Sequence, residues 1–128
     1  MESRHVSAVL FARDFRRLAA FYRDVVGLTT SRQLDDHAVL SYPGFDLIVH
    51  QIPARFLTGT TTAPPRRREE GAIKLWFPVD DLDRVRRTTA ALGGVFDPPE
   101  REWVYGDERT CMGHDPEGNV FQAAARVE

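Results

Sequence analysis

Apolar and polar positions along this chain follow one scheme twice. Residues 6–28 (VSAVLFARDFRRLAAFYRDVVGL), moved forward by 67 positions, fall on residues 73–95 (IKLWFPVDDLDRVRRTTAALGGV), so that Asp14 lands on Asp81 and Gly27 on Gly94. In each copy an apolar, strand-like run ends at an Asp, a helix-patterned stretch follows, and a Gly closes it. Residues 5–12 predict a strand, and Asp14 is placed to cap a helix by accepting from its first free N–H groups. Leu18, Phe21, Tyr22, Val25 and Val26 then recur at the 3.6-residue spacing of one helix face, with Gly27 as the left-handed stop. Strands are expected at 29–34, 37–42 and 45–52, with Pro43-Gly44 turning between the last two.

The second copy predicts a strand over 72–79, a helix capped by Asp80 or Asp81 that turns Leu82, Val85 and Leu92 inward, and a stop at Gly93-Gly94. Strands near 95–97, 101–106, 107–114 and 119–126 follow. Asp115-Pro116-Glu117-Gly118 sets the last turn, Pro fixing φ at its second position and Gly supplying the positive φ at its end. The reading is an α+β protein of two tandem βαβββ modules (4–52 and 72–127) forming a cupped mixed sheet around a cleft, one domain over 1–128. The Pro, Thr and mixed-charge stretch 53–71 (PARFLTGTTTAPPRRREEG) is expected to be a solvent-exposed linker, with Arg66–Arg68 on its solvated face.

Composition narrows the function classes. A chain of 128 residues with formal net charge −2 carries no field that would draw it to nucleic acid or a lipid surface. Sixteen of the seventeen basic residues are Arg and one, Lys74, is Lys, which reads as a codon bias. A single cysteine, Cys111, allows no internal disulfide and suits a reducing cytoplasm. No stretch approaches the roughly 18 apolar residues of a membrane span. A cytoplasmic protein is expected, without nucleic-acid or membrane partners. Neither a nucleotide-binding glycine loop nor a nucleophile elbow is present.

The segments ARD…FYRDVVGL (12–28), FPVDDLDRV…ALGG (77–94) and HDPEGNVFQ (114–122) resemble the vicinal oxygen chelate superfamily, which includes glyoxalase I, fosfomycin- and bleomycin-resistance proteins and extradiol dioxygenases. The resemblance spans both modules in order. It implies a cleft into which metal-using members project four side chains, one from the first and one from the last strand of each module. It also implies a homodimer, the modules pairing within a chain or across two. In those members the first-strand ligand precedes the capping Asp by seven residues, which gives Ser7 and Lys74. The last-strand ligand lies seven beyond the Asp of the DPEGN turn, which gives Gln122, and matching Gly44 to Gly118 carries it back onto Ile48. Ser, Ile, Lys and Gln are a poor donor set for a divalent cation, which favours imidazole or carboxylate. No metal and no cofactor is therefore expected there. A shift of two residues keeps the strand face and brings in His5 and His50 as secondary candidates, but no matching donors from module two.

Alternation along 73–77 puts Ile73, Leu75 and Phe77 on one face, suited to packing against helices, and Lys74 with Trp76 on the other. Lys74 either pairs with a nearby carboxylate or offers a cation beside an indole for an anionic ligand. Trp103 and Tyr105 share a strand face and either stack a planar ligand or pack in a core or dimer. His114 is either a polar contact at the cleft mouth or a turn cap. Phe21, Tyr22 and Cys111 read as core. The expected function is metal-independent binding of a planar or anionic small molecule by Ser7, Ile48, Lys74, Trp76, Trp103 and Gln122. The alternative is a glyoxalase-like lyase, isomerase or dioxygenase with a degenerate metal site, or acid–base chemistry by Lys74 and a histidine.

Overall fold

A computed structural model describes residues 4–59 and 65–127. The chain divides into two compact units, residues 1–60 and 61–128, called module one and module two below. In module one, β1 (Ser7–Ala12) leads into α1 (Phe15–Val26), followed by β2 (Thr29–Gln33), β3 (His37–Tyr42) and β4 (Phe45–Gln51). The strands lie in the order β1-β4-β3-β2. The helical crossover lets β1 pair parallel with β4, whereas the short connections make the other pairs antiparallel.

Alternation sorts the residues of this sheet. Ala12, Ala38, Leu40, Leu47 and Val49 are wholly buried, as are Leu18, Phe21, Tyr22 and Val25 of α1, which contacts β1, β3 and β4. Each large apolar side chain so buried contributes about 1.5–3 kcal/mol. The intervening residues Ser7, Val9 and Phe11 of β1 and their neighbours on β3 and β4 form the opposite, open face.

Module two contains β5 (Leu75–Pro78), α2 (Leu82–Ala91), β6 (Val95–Phe96), β7 (Trp103–Tyr105), β8 (Glu108–His114) and β9 (Val120–Arg126). Its order is β5-β9-β8-β6, with β7 also paired to β8. Two short strands thus share the edge of β8 that a single strand would occupy. Pro98 and Pro99 separate them, because proline has no N–H for the ladder, and residues 99–101 form a 3-10 turn instead. The expected strand over 101–106 is accordingly shorter. Phe77, Leu82, Val85, Phe96, Cys111, Phe121 and Ala123 make the core, and Phe121 lies 5.8 Å from Phe96 and 6.5 Å from Phe77, ring centre to ring centre.

Three expectations need correction. The strand expected over 72–79 begins only at Leu75, and Ile73 is 85% exposed instead of packing on a helix. Its partner β9 begins at Val120, with Leu75 opposite Phe121, so residues 72 and 73 have no strand to pair with. Leu92, expected to turn inward, is half-buried at the helix end. Nor is 53–71 uniformly a solvated linker. A 3-10 turn occupies Ala54–Phe56, and Arg67 turns in, its guanidinium donating to both carboxylate oxygens of Asp97 at 2.6 and 3.2 Å. Asp81, not Asp80, caps α2, accepting from the N–H groups of Asp83 and Arg84. Among the described residues no helix is long and apolar enough to cross a membrane.

Candidate functional site

Strand register assigns the strand-borne candidates to rows on the two open faces, while His5 and Lys74 precede their strands. In module one, Ser7 lies opposite Asp46 and Asp46 opposite Ser41, Val9 opposite Ile48 and Ile48 opposite Val39, and Phe11 opposite His50 and His50 opposite His37. Ser7 donates its hydroxyl to the His5 carbonyl at 3.3 Å, and Ile48 sits between Val9 and Val39. The outer rows are polar. His5 Nε2 lies 2.7 Å from Asp46 Oδ2, while Ser41 donates to the other Asp46 oxygen at 2.8 Å and stands 2.8 Å from Ser31 Oγ. The Ser41 hydroxyl, more than the His5 imidazole, holds the Asp46 carboxyl below its ordinary range against the opposing effect of burial.

At the other end, His50 and His37 stack with their rings 3° from parallel and 5.5 Å apart, and Phe11 lies 5.6 Å from His50 on a tilted plane. His50 Nδ1 faces its neighbour's carbonyl, Gln51 O, at 2.9 Å. Asp36 approaches both imidazoles: Oδ1 is 2.8 Å from His37 Nδ1 and Oδ2 is 3.6 Å from His50 Nε2. The hydrogen bond from His37 comes first among the causes that keep the Asp36 carboxyl below its usual range. Asp36, His37 and Asp46 escaped the sequence reading, because only cross-strand register brings them to His50 and His5. A turn Asp followed at once by His was the one available signal.

Module two presents a different surface. Trp76 lies opposite Gln122 and Gln122 opposite Met112; in the adjoining row Pro78 pairs with Ala124, Ala124 with Thr110 and Thr110 with Trp103. Trp76 and Trp103 therefore share a face, 46% and 38% exposed, with the half-buried Gln122 and Met112 between their strands. Tyr105 is 80% exposed, so neither it nor Trp103 belongs to the core of this chain. Lys74 turns back on the preceding segment: its ammonium donates to the carbonyls of Gly71 at 3.0 Å and Glu69 at 3.1 Å. Among the described residues no carboxylate pairs with it.

His114 is buried at 7% exposure beside the DPEGN turn and caps nothing there. Asp115 holds that turn instead, wholly buried, accepting from the N–H of Glu117 and Asn119 and from the Asn119 amide. Burial first, and then the Arg67 cation, push the His114 imidazole below its ordinary pKa. Burial likewise pushes the Cys111 thiol up, in keeping with a core residue.

The metal of the superfamily does not fit the four aligned positions. Module one supplies there a hydroxyl and a hydrocarbon, and module two a carboxamide and an ammonium already bound to two carbonyls. None is the imidazole or carboxylate that a divalent ion takes.

A family model described as a glyoxalase-like domain matches residues 7–124. No curated protein matches the sequence. Solved structures with the same fold include a glyoxalase/bleomycin resistance protein/dioxygenase family enzyme from Burkholderia phytofirmans PsJN, at 18% identity and TM-score 0.67 over 94% of this chain and 97% of that one. The fosfomycin resistance protein FosX of Listeria monocytogenes aligns at 16% identity and TM-score 0.66 over 99% and 96%. A glyoxalase/bleomycin resistance protein from Albidiferax ferrireducens T118 aligns at 17% and 0.65 over 94% and 97%. With both modules matched in order, this chain belongs to the glyoxalase-like family of the vicinal oxygen chelate superfamily.

Proposed function

We propose that this protein binds a planar, anionic small molecule, and that it does so without a metal at the superfamily's four positions. The supporting observation is the surface of module two, where two half-exposed indoles flank an amide and a thioether on one sheet face. Indoles give a flat ligand large contact area with little conformational entropy lost, and Gln122 can both donate and accept. Lys74 stands at the margin of this face, and two carbonyl acceptors leave one of its three N–H donors for an anion. Resistance to fosfomycin or bleomycin, named for the solved neighbours, makes sequestration of an antibiotic-like or aromatic compound the activity to test.

Both tryptophans of the chain lie on this one face, so intrinsic fluorescence reads it directly. Anthraquinone-2-sulfonate, titrated in the presence of EDTA, is expected to quench that emission saturably. Trp76→Ala should weaken binding about tenfold, or about 1.4 kcal/mol, and Lys74→Ala should weaken the sulfonate more than an uncharged quinone. Linear, non-saturating quenching, or affinity unchanged in both variants, would overturn the reading.

A second reading, acid–base catalysis, rests on the His5–Asp46 pair. A carboxylate on Nε2 orients the ring and leaves Nδ1 as a base for proton abstraction beside a carbonyl. Deuterium exchange at such a carbon in α-hydroxyketones, lost in His5→Gln, would support it; exchange equal to buffer would dismiss it.

A further inference from the structure

We infer that Asp36, His37 and His50 form a binding site for a borderline divalent transition ion such as Zn2+ or Ni2+. The site lies wholly within module one and apart from the four positions at which the superfamily binds metal. It does not rest on the ligand reading above. One donor atom from each residue lies within 4.8 Å of the others. Two imidazole nitrogens and a carboxylate are the donor set that such ions favour.

Three further features make this a built arrangement. His50 donates its Nδ1–H to the Gln51 carbonyl, and that bond leaves the lone pair on Nε2, the atom that faces Asp36. Metal-ligating histidines are held by this kind of hydrogen bond, which fixes tautomer and ring angle. The ring planes are fixed as well, with His37 stacked on His50 and Phe11 on a tilted plane beside it. The Asp36 loop is also tied down, since Gln51 N–H donates to the Asp36 carbonyl at 2.7 Å and Leu34 N–H to the His37 carbonyl at 2.8 Å.

The Asp36 carboxylate, like any aspartate near neutral pH, supplies an anionic oxygen. For His37 Nδ1 to take the ion, the proton it shares with Asp36 moves to Nε2, a change of tautomer within the ring. Asp36 is well exposed, with 63% of its side chain accessible, so the remaining coordination positions open to solvent and exchange should be fast.

The experiment uses the untagged full-length chain, stripped with chelator and dialysed. Calorimetric titration with ZnCl2 should show one saturable site per chain. Asp36→Asn, His37→Gln and His50→Gln should each lower affinity at least about tenfold, by analogy with the loss of supporting groups around known metal sites. His5→Gln, whose imidazole meets Asp46 and not this cluster, should leave zinc affinity unchanged. Imidazole nitrogen NMR of the unaltered chain gives a readout independent of whether the variants fold: Zn2+ should shift His50 Nε2 and His37 Nδ1 and leave His50 Nδ1 protonated. No saturable uptake up to about 1 mM (roughly 4 kcal/mol of binding), uptake indifferent to all three substitutions, or shifts confined to His5 and His114 would each overturn the proposal. Because the tryptophan assay is run in EDTA, its failure and the failure of this site can be told apart.

Discussion

The two modules repeat one scheme of elements yet present opposite chemistries on their open faces. Module one shows carboxylates, imidazoles and hydroxyls in two linked groups of three, His5–Asp46–Ser41 at one end and Asp36–His37–His50 at the other. Module two shows indole, thioether and amide, with its charged pair Arg67–Asp97 drawn in at the margin. The helix-facing strand residues are apolar in both modules, small or aliphatic in module one and largely aromatic (Phe77, Phe96, Phe121) in module two. The two copies therefore share the apolar character of the face that makes a core, but not its side chains. The open face has been free to diverge.

The sharpest attack on that comparison is through the cores. Phe21→Ala in α1, a site 1% exposed, should destabilise by about 3–5 kcal/mol, and Leu82→Ala in α2, 6% exposed, by about 2–3 kcal/mol. Urea unfolding followed by far-UV dichroism measures both; equal losses would mean that α2, with three buried residues against seven in α1, carries more than its apolar face suggests. Next comes the last turn. Asp115→Ala strips a buried acceptor from two backbone donors and one side chain, and should cost about 3 kcal/mol. Module one has no buried acid at Pro43-Gly44, so nothing comparable is expected there.

A smaller effect concerns acidity. His114 titrates below its ordinary value of 6.5 when folded, so between that value and its depressed folded pKa the unfolded chain holds more protons. Its contribution to stability is thus complete above about pH 7 and is lost as the pH falls through about 6.5, levelling off below the folded pKa. Melting temperatures of the parent and His114→Asn should converge on acidification; a constant gap would refute the assignment. Least of all are the helix caps. Asp14→Ala and Asp81→Ala should each cost about 1 kcal/mol by thermal melting.

Much of the fold was legible because it depends on local periodicity. β1, α1, β3, β4, the Asp14 cap and the DPEGN turn follow from alternation, helical spacing and turn chemistry, and the second cap was narrowed to Asp80 or Asp81. The misreadings arose where a partner strand decides. Ile73 alternates correctly, but β9 begins too late to pair with it. The site was less legible for the same reason. His50 was visible as a donor, whereas Asp36 and His37 become its neighbours only through the His37–His50 register. Trp76 was placed on the open face by alternation and Gln122 by the resemblance, yet Met112, which register puts between them and Trp103, offered no signal beyond being apolar. Lys74 was read as a free cation or an ion-pair partner, and it bonds instead to neutral carbonyls, acceptors that no side-chain pattern advertises.

Gly44 and Gly118 occupy matching turns and both need positive φ, but an added Cβ at 44 meets open space, whereas at 118 it would collide with the carbonyl of Arg66. A randomised library should therefore recover Asn or Asp at the first position and nothing but the parent at the second. One copy of the repeat is thus closed to any side chain at a point where its twin has room for one.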